Sequence, residues 1–297
     1  MAITVFESEA TRLVAPSTDL VRLANGFKFT EGPVWDHVRS RLLFSDIPAN
    51  TIYHYSDREG VQIYRQPSHF SNGLCLDCKG RLLTCEHQTR RVTRENHDGT
   101  ITVLAHQYEG RRLNAPNDII VAADGSILFT DPHYGLMEGL GGPAEQEQPW
   151  RGVYHLRPDL GEPRLLVDDF DAPNGLALSP DESILYINDS VHEHIRSFRV
   201  SDDWQLSGGE VLITLKGEAD EEGVPDGMKL DENGNIFCTG SGGIWICNPS
   251  GKIMARISIP EVAANLAWGD HDRRSLYVTA STGLYRLRCL VRGSNLK

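Results

Sequence analysis

The sequence has no long apolar segment. None of its hydrophobic runs approaches the roughly 18 residues that a membrane-spanning helix requires. Its first residues, MAITVFESEATRLV, have neither the basic start nor the continuous apolar stretch of roughly 7 to 15 residues that marks a secretory signal. We therefore expect a cytoplasmic protein that has no membrane partner.

Basic residues are scarce relative to acidic ones. The 297 residues include 29 Lys and Arg against 41 Asp and Glu, which gives a formal net charge of -12. Binding to a nucleic-acid backbone depends on clustered Lys and Arg that displace counterions. The charge balance therefore argues against a nucleic-acid partner, and it permits a cation site.

Several motifs that carry chemistry are also missing. The chain contains no Gly-x-Ser-x-Gly elbow of a serine esterase and no Gly-x-Gly-x-x-Gly unit of a nucleotide-binding fold. It has few cysteines, and Cys75-x-x-Cys78 is not followed by a second pair at zinc spacing. Because most of the six cysteines lie in strand-like runs, we interpret them as core residues rather than as disulfides or a zinc site.

A short polar signature before an apolar strand is abundant. It occurs six times, at intervals of 39 to 57 residues, as Glu31-Gly-Pro, Ser71-Asn72-Gly, Pro116-Asn117-Asp, Pro173-Asn174-Gly, Pro225-Asp226-Gly and Ala264-Asn265-Leu. Each interval holds alternating strand-like runs and Asn-Gly or Asp-Gly turns, which are typical of four-stranded repeat units. The pattern predicts an all-β fold, a six-bladed β-propeller that forms a single domain over residues 1–297.

The last unit is one strand short. After Asn265 the sequence has room for only three strands, whereas residues 19–27, DLVRLANGF, form a spare strand-like run near the start of the chain. Pairing this run with the last blade would close the ring and remove an exposed sheet edge. We therefore predict that an N-terminal strand completes blade six.

One insertion interrupts the third unit. Residues 133–151, HYGLMEGLGGPAEQEQPWR, separate two strands and are rich in glycine. Long loops of this kind in compact domains often act as lids or binding loops, and a disordered bulge is the alternative. We expect a flexible segment here.

The six signatures are expected to converge on one mouth of the central channel, because each begins an inner strand. They would bring two carboxylates and several amide oxygens together, although a polar residue before glycine can also serve only as a turn cap. Oxygen ligands without a His or Cys cluster favour Ca²⁺, Mg²⁺ or Mn²⁺ over Zn²⁺. Four acids lie at the ends of the second strands: Asp46, Glu86, Asp131 and Asp189. They would make this mouth strongly acidic, unless they bind neighbouring Arg side chains or backbone groups.

Five motifs resemble those of a known family. They are FTEGPVWD at 29–36, PNDIIV at 116–121, FTDPHYGL at 129–136, PNGLALSPDE at 173–182 and PDGMKLDENGN at 225–235. In order and over nearly the whole chain, they resemble the SMP-30/gluconolactonase/luciferin-regenerating-enzyme family of six-bladed propellers. The resemblance implies that Glu31, Asn174 and Asp226 bind a divalent metal and that Asn117 contacts metal or substrate. It also implies hydrolysis of a sugar lactone with a divalent cation, most often Ca²⁺, with Mg²⁺, Mn²⁺, Fe²⁺ and Zn²⁺ as alternatives.

This chemistry is physically reasonable, because hydrolysis of the lactone places negative charge on the former carbonyl oxygen and a dication stabilises that charge. We predict that Asp226 is the general base or orients the water, with a metal-bound hydroxide as the competing nucleophile. Further predicted substrate contacts are Asn117, Arg112, Asp131 and His133. Arg111 is the alternative to Arg112, and Tyr134 would act together with His133. The alternatives are a broader esterase or phosphotriesterase-like hydrolase, or a propeller that only binds ligands.

Overall fold

We analysed a computed structural model, which describes residues 3–157 and 161–294. These residues form strands almost throughout, with two short 3₁₀ helices at Ser8–Arg12 and Tyr134–Leu136. Within the described ranges, neither helix has the length or the apolar character needed to cross a bilayer.

The strands form six sheets, which we call blades one to six, and one small hairpin. In chain order they are β1 (Ile3–Val5) and β2 (Val21–Asn25); blade one, β3 (Thr30–Asp36), β4 (Arg41–Asp46), β5 (Thr51–Ser56) and β6 (Gly60–Arg65); blade two, β7 (Ser71–Leu76), β8 (Leu82–Glu86), β9 (Arg91–Glu95) and β10 (Ile101–Ala105); the hairpin, β11 (Gln107–Tyr108) and β12 (Arg111–Arg112); blade three, β13 (Ile119–Val121), β14 (Ile127–Asp131), β15 (Arg151–Leu156) and β16 (Arg164–Phe170); blade four, β17 (Pro173–Leu178), β18 (Ile184–Asp189), β19 (His194–Val200) and β20 (Leu206–Thr214); blade five, β21 (Met228–Leu230), β22 (Ile236–Gly240), β23 (Gly243–Cys247) and β24 (Ile253–Ser258); and blade six, β25 (Ala263–Gly269), β26 (Ser275–Ala280) and β27 (Gly283–Arg288). All pairings within the blades are antiparallel. The predicted six-bladed propeller is confirmed.

The hydrophobic core lies between the blades. Six clusters of buried side chains each join two neighbouring blades, and the cluster between blades six and one includes Phe44 and Tyr277. Both faces of each sheet are therefore covered, which explains why the middle strands β8, β14 and β22 are buried at every residue instead of alternating with polar positions. Cys85, Cys238, Cys247 and Cys289 are buried in these clusters, as predicted.

The N-terminal segment closes the ring. Strand β2 pairs with β27, with Val21 opposite Arg286 and Asn25 opposite Gly283, so blade six obtains its fourth strand from the start of the chain as predicted. Strand β1 was not predicted. It adds a fifth strand to blade five by pairing with β24, where Ile3 lies opposite Ile257.

The insertion between β14 and β15 is not the free loop that its glycine content suggested. The Nδ1–H of His87 in blade two donates to the carbonyl oxygen of Leu140 at 2.9 Å. Gln148 donates from Nε2 to the carbonyl oxygens of Tyr108 and Arg111, at 3.0 and 2.9 Å. The segment is anchored by these contacts, and several of its glycines serve close packing: a Cβ on Gly135 would come within 2.4 Å of the His87 ring.

Candidate metal centre and active site

The six inner strands begin around one end of the central channel, as the repeat predicted. Hydrogen bonds join neighbouring signatures directly: the N–H of Gly73 donates to the carbonyl oxygen of Asn117 at 2.8 Å, and the N–H of Gly175 donates to that of Asp226 at 2.9 Å. A third bond, at 2.7 Å, joins the N–H of Gly227 to the carbonyl oxygen of Ala264. Backbone hydrogen bonds therefore join the signatures of blades two and three, four and five, and five and six at the channel mouth.

The glycine after the polar residue is needed for the close approach of neighbouring inner strands more than for a turn. A Cβ on Gly175 would lie 2.1 Å from the carbonyl oxygen of Asp226, and one on Gly73 would lie 2.4 Å from that of Asn117. Such separations are far below van der Waals contact, so only glycine allows these strands to meet. The turn-cap alternative therefore does not account for the Asn-Gly pairs of blades two and four.

Glu31, Asn174 and Asp226 meet at this mouth. The Asp226 carboxylate interacts with both the Glu31 carboxylate and the Asn174 side chain. Glu31 is 2% exposed and Asn174 is 4% exposed, whereas Asp226 keeps more of its surface open. The Oδ1 atom of Asn174 is buried and has no hydrogen-bond donor. The structure thus brings together the three residues that the sequence assigned to a metal.

Charge is concentrated at this point. Burial raises the pKa of Glu31 to about 7, and the neighbouring Asp118 carboxylate acts in the same direction, against hydrogen bonds from the Gly32 N–H and from Asn265 Nδ2 at 3.0 Å. Burial, followed by the charges of Glu31 and Asp118, raises the pKa of Asp226 well above its usual range. Buried carboxylates with too few positive partners are expected to bind a cation.

These donors fit a hard divalent cation. Two carboxylates and an amide oxygen without a donor supply the mixed oxygen set that Ca²⁺ accepts. Within the described ranges, no group of three or more His, Cys, Asp or Glu side chains is arranged to hold a metal. Any cation at this mouth would therefore depend on amide oxygens as well as carboxylates.

Sequence reasoning missed two charged residues beneath the mouth. Asp118 is 3% exposed, and its Oδ2 lies 3.9 Å from the Lys229 ammonium, which also donates to the carbonyl oxygen of Met228 at 3.0 Å. Lys229 Nζ is 3.5 Å from Oδ1 of Asn265, the residue that binds Glu31. Asp118 is the last residue of the third signature and Lys229 lies two positions after the fifth, but nothing in the local sequence indicates that the two side chains meet.

Past Lys229 the wall of the channel is mainly apolar. A cavity of about 300 Å³ occupies its far half and takes one side chain or more from every inner strand, among them Val34, Leu74, Ile120, Ala177, Leu230 and Trp268. Asp36, His37 and Asp77 also line this cavity, so its wall is mainly but not wholly apolar.

Three acids at the ends of second strands fasten the loops that carry the signatures. Asp46 accepts the backbone N–H of Lys28 at 3.0 Å, and Asp189 accepts that of Asp171 at 2.8 Å. Asp131 accepts the N–H of Asn114 at 2.7 Å. In each case the donor lies three positions before Glu31, Asn174 or Asn117. Glu86 differs, because it accepts from Arg91 at 2.6 Å and from Thr93 at 3.0 Å.

This arrangement does not support the predicted contact between Asp131 and substrate. Asp131 is fully buried, and burial raises its pKa to about 7 despite the hydrogen bond from Asn114. Its carboxylate instead holds the loop that leads to Asn117. The prediction of a strongly acidic mouth is likewise corrected, because Asp46, Glu86 and Asp189 accept hydrogen bonds from groups inside the protein.

The other predicted substrate contacts lie around the mouth. Asn117 is 4% exposed, and its N–H donates to the carbonyl oxygen of Thr130 at 2.8 Å. Arg112 is exposed on β12, where its N–H donates to Glu147 of the insertion at 3.0 Å. His133 is half-buried, its ring lies 4.8 Å from that of Tyr134, and burial lowers its pKa.

The raised pKa of Glu31 predicts a pH effect on the metal-free protein. A carboxyl whose pKa is raised from 4.5 to about 7 on folding destabilises the fold where it must ionise. The resulting loss in the free energy of unfolding is absent below pH 4.5 and fully present above pH 7, and is on the order of 3 kcal/mol. Glu31→Gln should therefore stabilise chelator-treated protein more at pH 8 than at pH 5, as measured by urea unfolding. An equal effect at both pH values would contradict the prediction.

Comparison with known proteins gives a consistent result. A family model described as SMP-30/Gluconolactonase/LRE-like region matches residues 29–282. A gluconolactonase of Zymomonas mobilis is 31% identical, over 96% of this chain and 85% of that protein. Regucalcin of Bos taurus is 27% identical, over 84% of this chain and 82% of that protein. The structure of a gluconolactonase from Xanthomonas campestris is 30% identical with a TM-score of 0.91, covering 97% of this chain and 95% of that one. The chain therefore belongs to the SMP-30/gluconolactonase/LRE-like family.

Proposed function

We propose that this protein is a divalent-cation-dependent hydrolase that opens sugar lactones to aldonic acids. The observation that carries the proposal is the convergence of the Glu31 and Asp226 carboxylates with the side chain of Asn174, whose Oδ1 atom is buried without a hydrogen-bond donor. The gluconolactonase among its relatives supports the choice of a lactone as substrate.

Glu31, Asn174, Asp226 and Asn117 would hold the cation. Ca²⁺ is the favoured ion because all four side chains offer hard oxygen donors, with Mg²⁺, Mn²⁺, Fe²⁺ and Zn²⁺ as alternatives. When bound, the cation supplies Lewis-acid stabilisation of the negative charge that develops on the lactone carbonyl oxygen.

Asp226 is the group that we assign to the attacking water. Its backbone is fixed, because its carbonyl oxygen accepts from Asn188 Nδ2 at 2.6 Å and its N–H donates to Thr239 Oγ1 at 3.1 Å. Asp226 as a whole residue is more exposed than Glu31 or Asn174. It can therefore orient a water, accept its proton during attack on the carbonyl carbon, and return that proton to the ring oxygen as the ester bond breaks.

We assign sugar hydroxyl contacts to Asn117, Arg112 and His133. Arg112 offers exposed N–H donors, and the Nδ1 atom of His133 is buried with no hydrogen-bond partner. Asp131 acts at a distance in this scheme, because it holds the Asn114 backbone from inside the blade.

A panel of substrates tests the proposal. We expect acid release in a pH-stat from at least one 1,4- or 1,5-aldonolactone, its loss after chelation, and its return with one or more of the five cations. An aryl ester and a phosphotriester in the same panel test the broader hydrolase alternatives. Chelator-insensitive hydrolysis, or no hydrolysis of any lactone, would count against the proposed function.

A further inference from the structure

We propose that Ser190 is a positioning residue that turns the amide of Asn174 so that its oxygen faces the cation. The inference rests on the proposed function, because it concerns the same metal site. Ser190 directly follows β18 and is 4% exposed. Its hydroxyl lies between blade four, which carries Asn174, and the loop that leads to Asp226.

The direction of each hydrogen bond follows from the donors available. Ser190 Oγ lies 2.6 Å from the carbonyl oxygen of Pro225, which can only accept, so the single hydroxyl proton must point there. The Ser190 oxygen is then left with acceptor capacity alone. Asn174 approaches it at 3.1 Å and must therefore present its Nδ2 group.

The consequence for Asn174 is a fixed amide orientation. With Nδ2 directed at Ser190, Oδ1 occupies the other branch of the planar amide, and this is the buried atom that has no donor. Without the Ser190 oxygen, the amide could rotate by half a turn and offer N–H groups to the cation, which repel it. Partners that orient metal ligands in this way typically change metal affinity by about 10- to 100-fold.

Ser190 also connects the insertion to the site. The hydroxyl of Tyr134, which lies in the second 3₁₀ helix, interacts with the Ser190 side chain. One hydroxyl thus joins Asn174, the Pro225 carbonyl oxygen before Asp226, and the inserted segment.

The chain offers a matched control in the next blade. Ser241 directly follows β22, as Ser190 follows β18, and it is 5% exposed. Its hydroxyl donates to the carbonyl oxygen of Gly223 at 3.0 Å, in the same loop that Ser190 contacts. Ser241→Ala therefore removes a similar buried hydrogen bond without touching a proposed ligand.

The test is calorimetric titration of the full-length, chelator-stripped protein with Ca²⁺. We expect Ser190→Ala to raise the dissociation constant for Ca²⁺ about 10-fold or more. Ser190→Thr should have a dissociation constant close to that of the unmodified protein, and Ser241→Ala should stay within about twofold of it. The melting temperatures of the two alanine variants should fall by similar amounts. Ser190→Cys, which keeps the volume but accepts hydrogen bonds weakly, replaces Ser190→Ala should that variant not fold.

Two outcomes would overturn the inference, and they are distinguishable. If the unmodified protein binds Ca²⁺ and Ser190→Ala binds it as tightly as Ser241→Ala does, only the role of Ser190 is wrong. If the unmodified protein binds neither Ca²⁺ nor the other four cations, the metal site fails and the inference fails with it.

Discussion

Asp226→Asn should reduce kcat for lactone hydrolysis by about 10²- to 10⁴-fold, the range typical of a lost general base, while some cation binding is retained. The amide keeps one oxygen that can bind the metal, but it can no longer accept a proton from water. The backbone contacts of Asp226 with Asn188 and Thr239 do not involve the substituted carboxylate, so the loop should keep its position. Initial rates at saturating lactone and a Ca²⁺ titration of the same sample would measure both effects.

Asp231→Asn provides the control for a general loss of structure. Asp231 is fully buried at the opposite end of the same inner strand, where it accepts the N–H groups of Asn233 and Asn235 at 2.9 and 2.8 Å. We expect this variant to lose stability but to keep its kcat. Near-normal turnover by Asp226→Asn would show that Asp226 is not the base and would favour direct attack by hydroxide.

Removal of residues 1–25 should cause the largest loss of stability. This deletion opens blade six, because it removes β2 from β27, and it exposes the core cluster that receives Leu13 and Val14. Each such aliphatic side chain contributes about 1.5 to 3 kcal/mol when buried. We therefore expect the melting temperature to fall by about 10 °C or more, measured by circular dichroism.

Removal of residues 1–5 is the matched control. It deletes β1, which only adds an outer fifth strand to blade five, and leaves β2 in place. We expect a much smaller decrease in melting temperature. If the longer deletion were no more harmful than the shorter one, the pairing of β2 with β27 would not be what closes the ring.

The ring could be predicted because it leaves a periodic trace in the sequence. Each inner strand starts with a polar residue at the channel mouth, so the recurrence of the signatures predicts the blades and a shared mouth, whereas the proposed metal roles of Glu31, Asn174 and Asp226 follow from the family resemblance. The closing strand could be predicted because blade six lacks one strand. Strand β1 could not, because blade five already has four strands without it.

The surroundings of the proposed ligands could be predicted only in part. For Asp46, Asp131 and Asp189 the sequence left open a place at the mouth or a backbone partner, and in the structure each accepts backbone N–H groups of the incoming loop. Lys229 and Asp118 are 111 positions apart in the sequence and lie 3.9 Å apart across the channel. Neighbouring sequence does not encode such a distance.

The closure of blade six has a consequence for how the protein is made. Strand β2 leaves the ribosome early, but its partner β27 begins at residue 283. At about 5 to 20 residues per second, the wait is on the order of tens of seconds. Throughout that time the nascent chain carries an unpaired strand edge that could join another chain. The period of greatest aggregation risk therefore ends only after β27 has been synthesised.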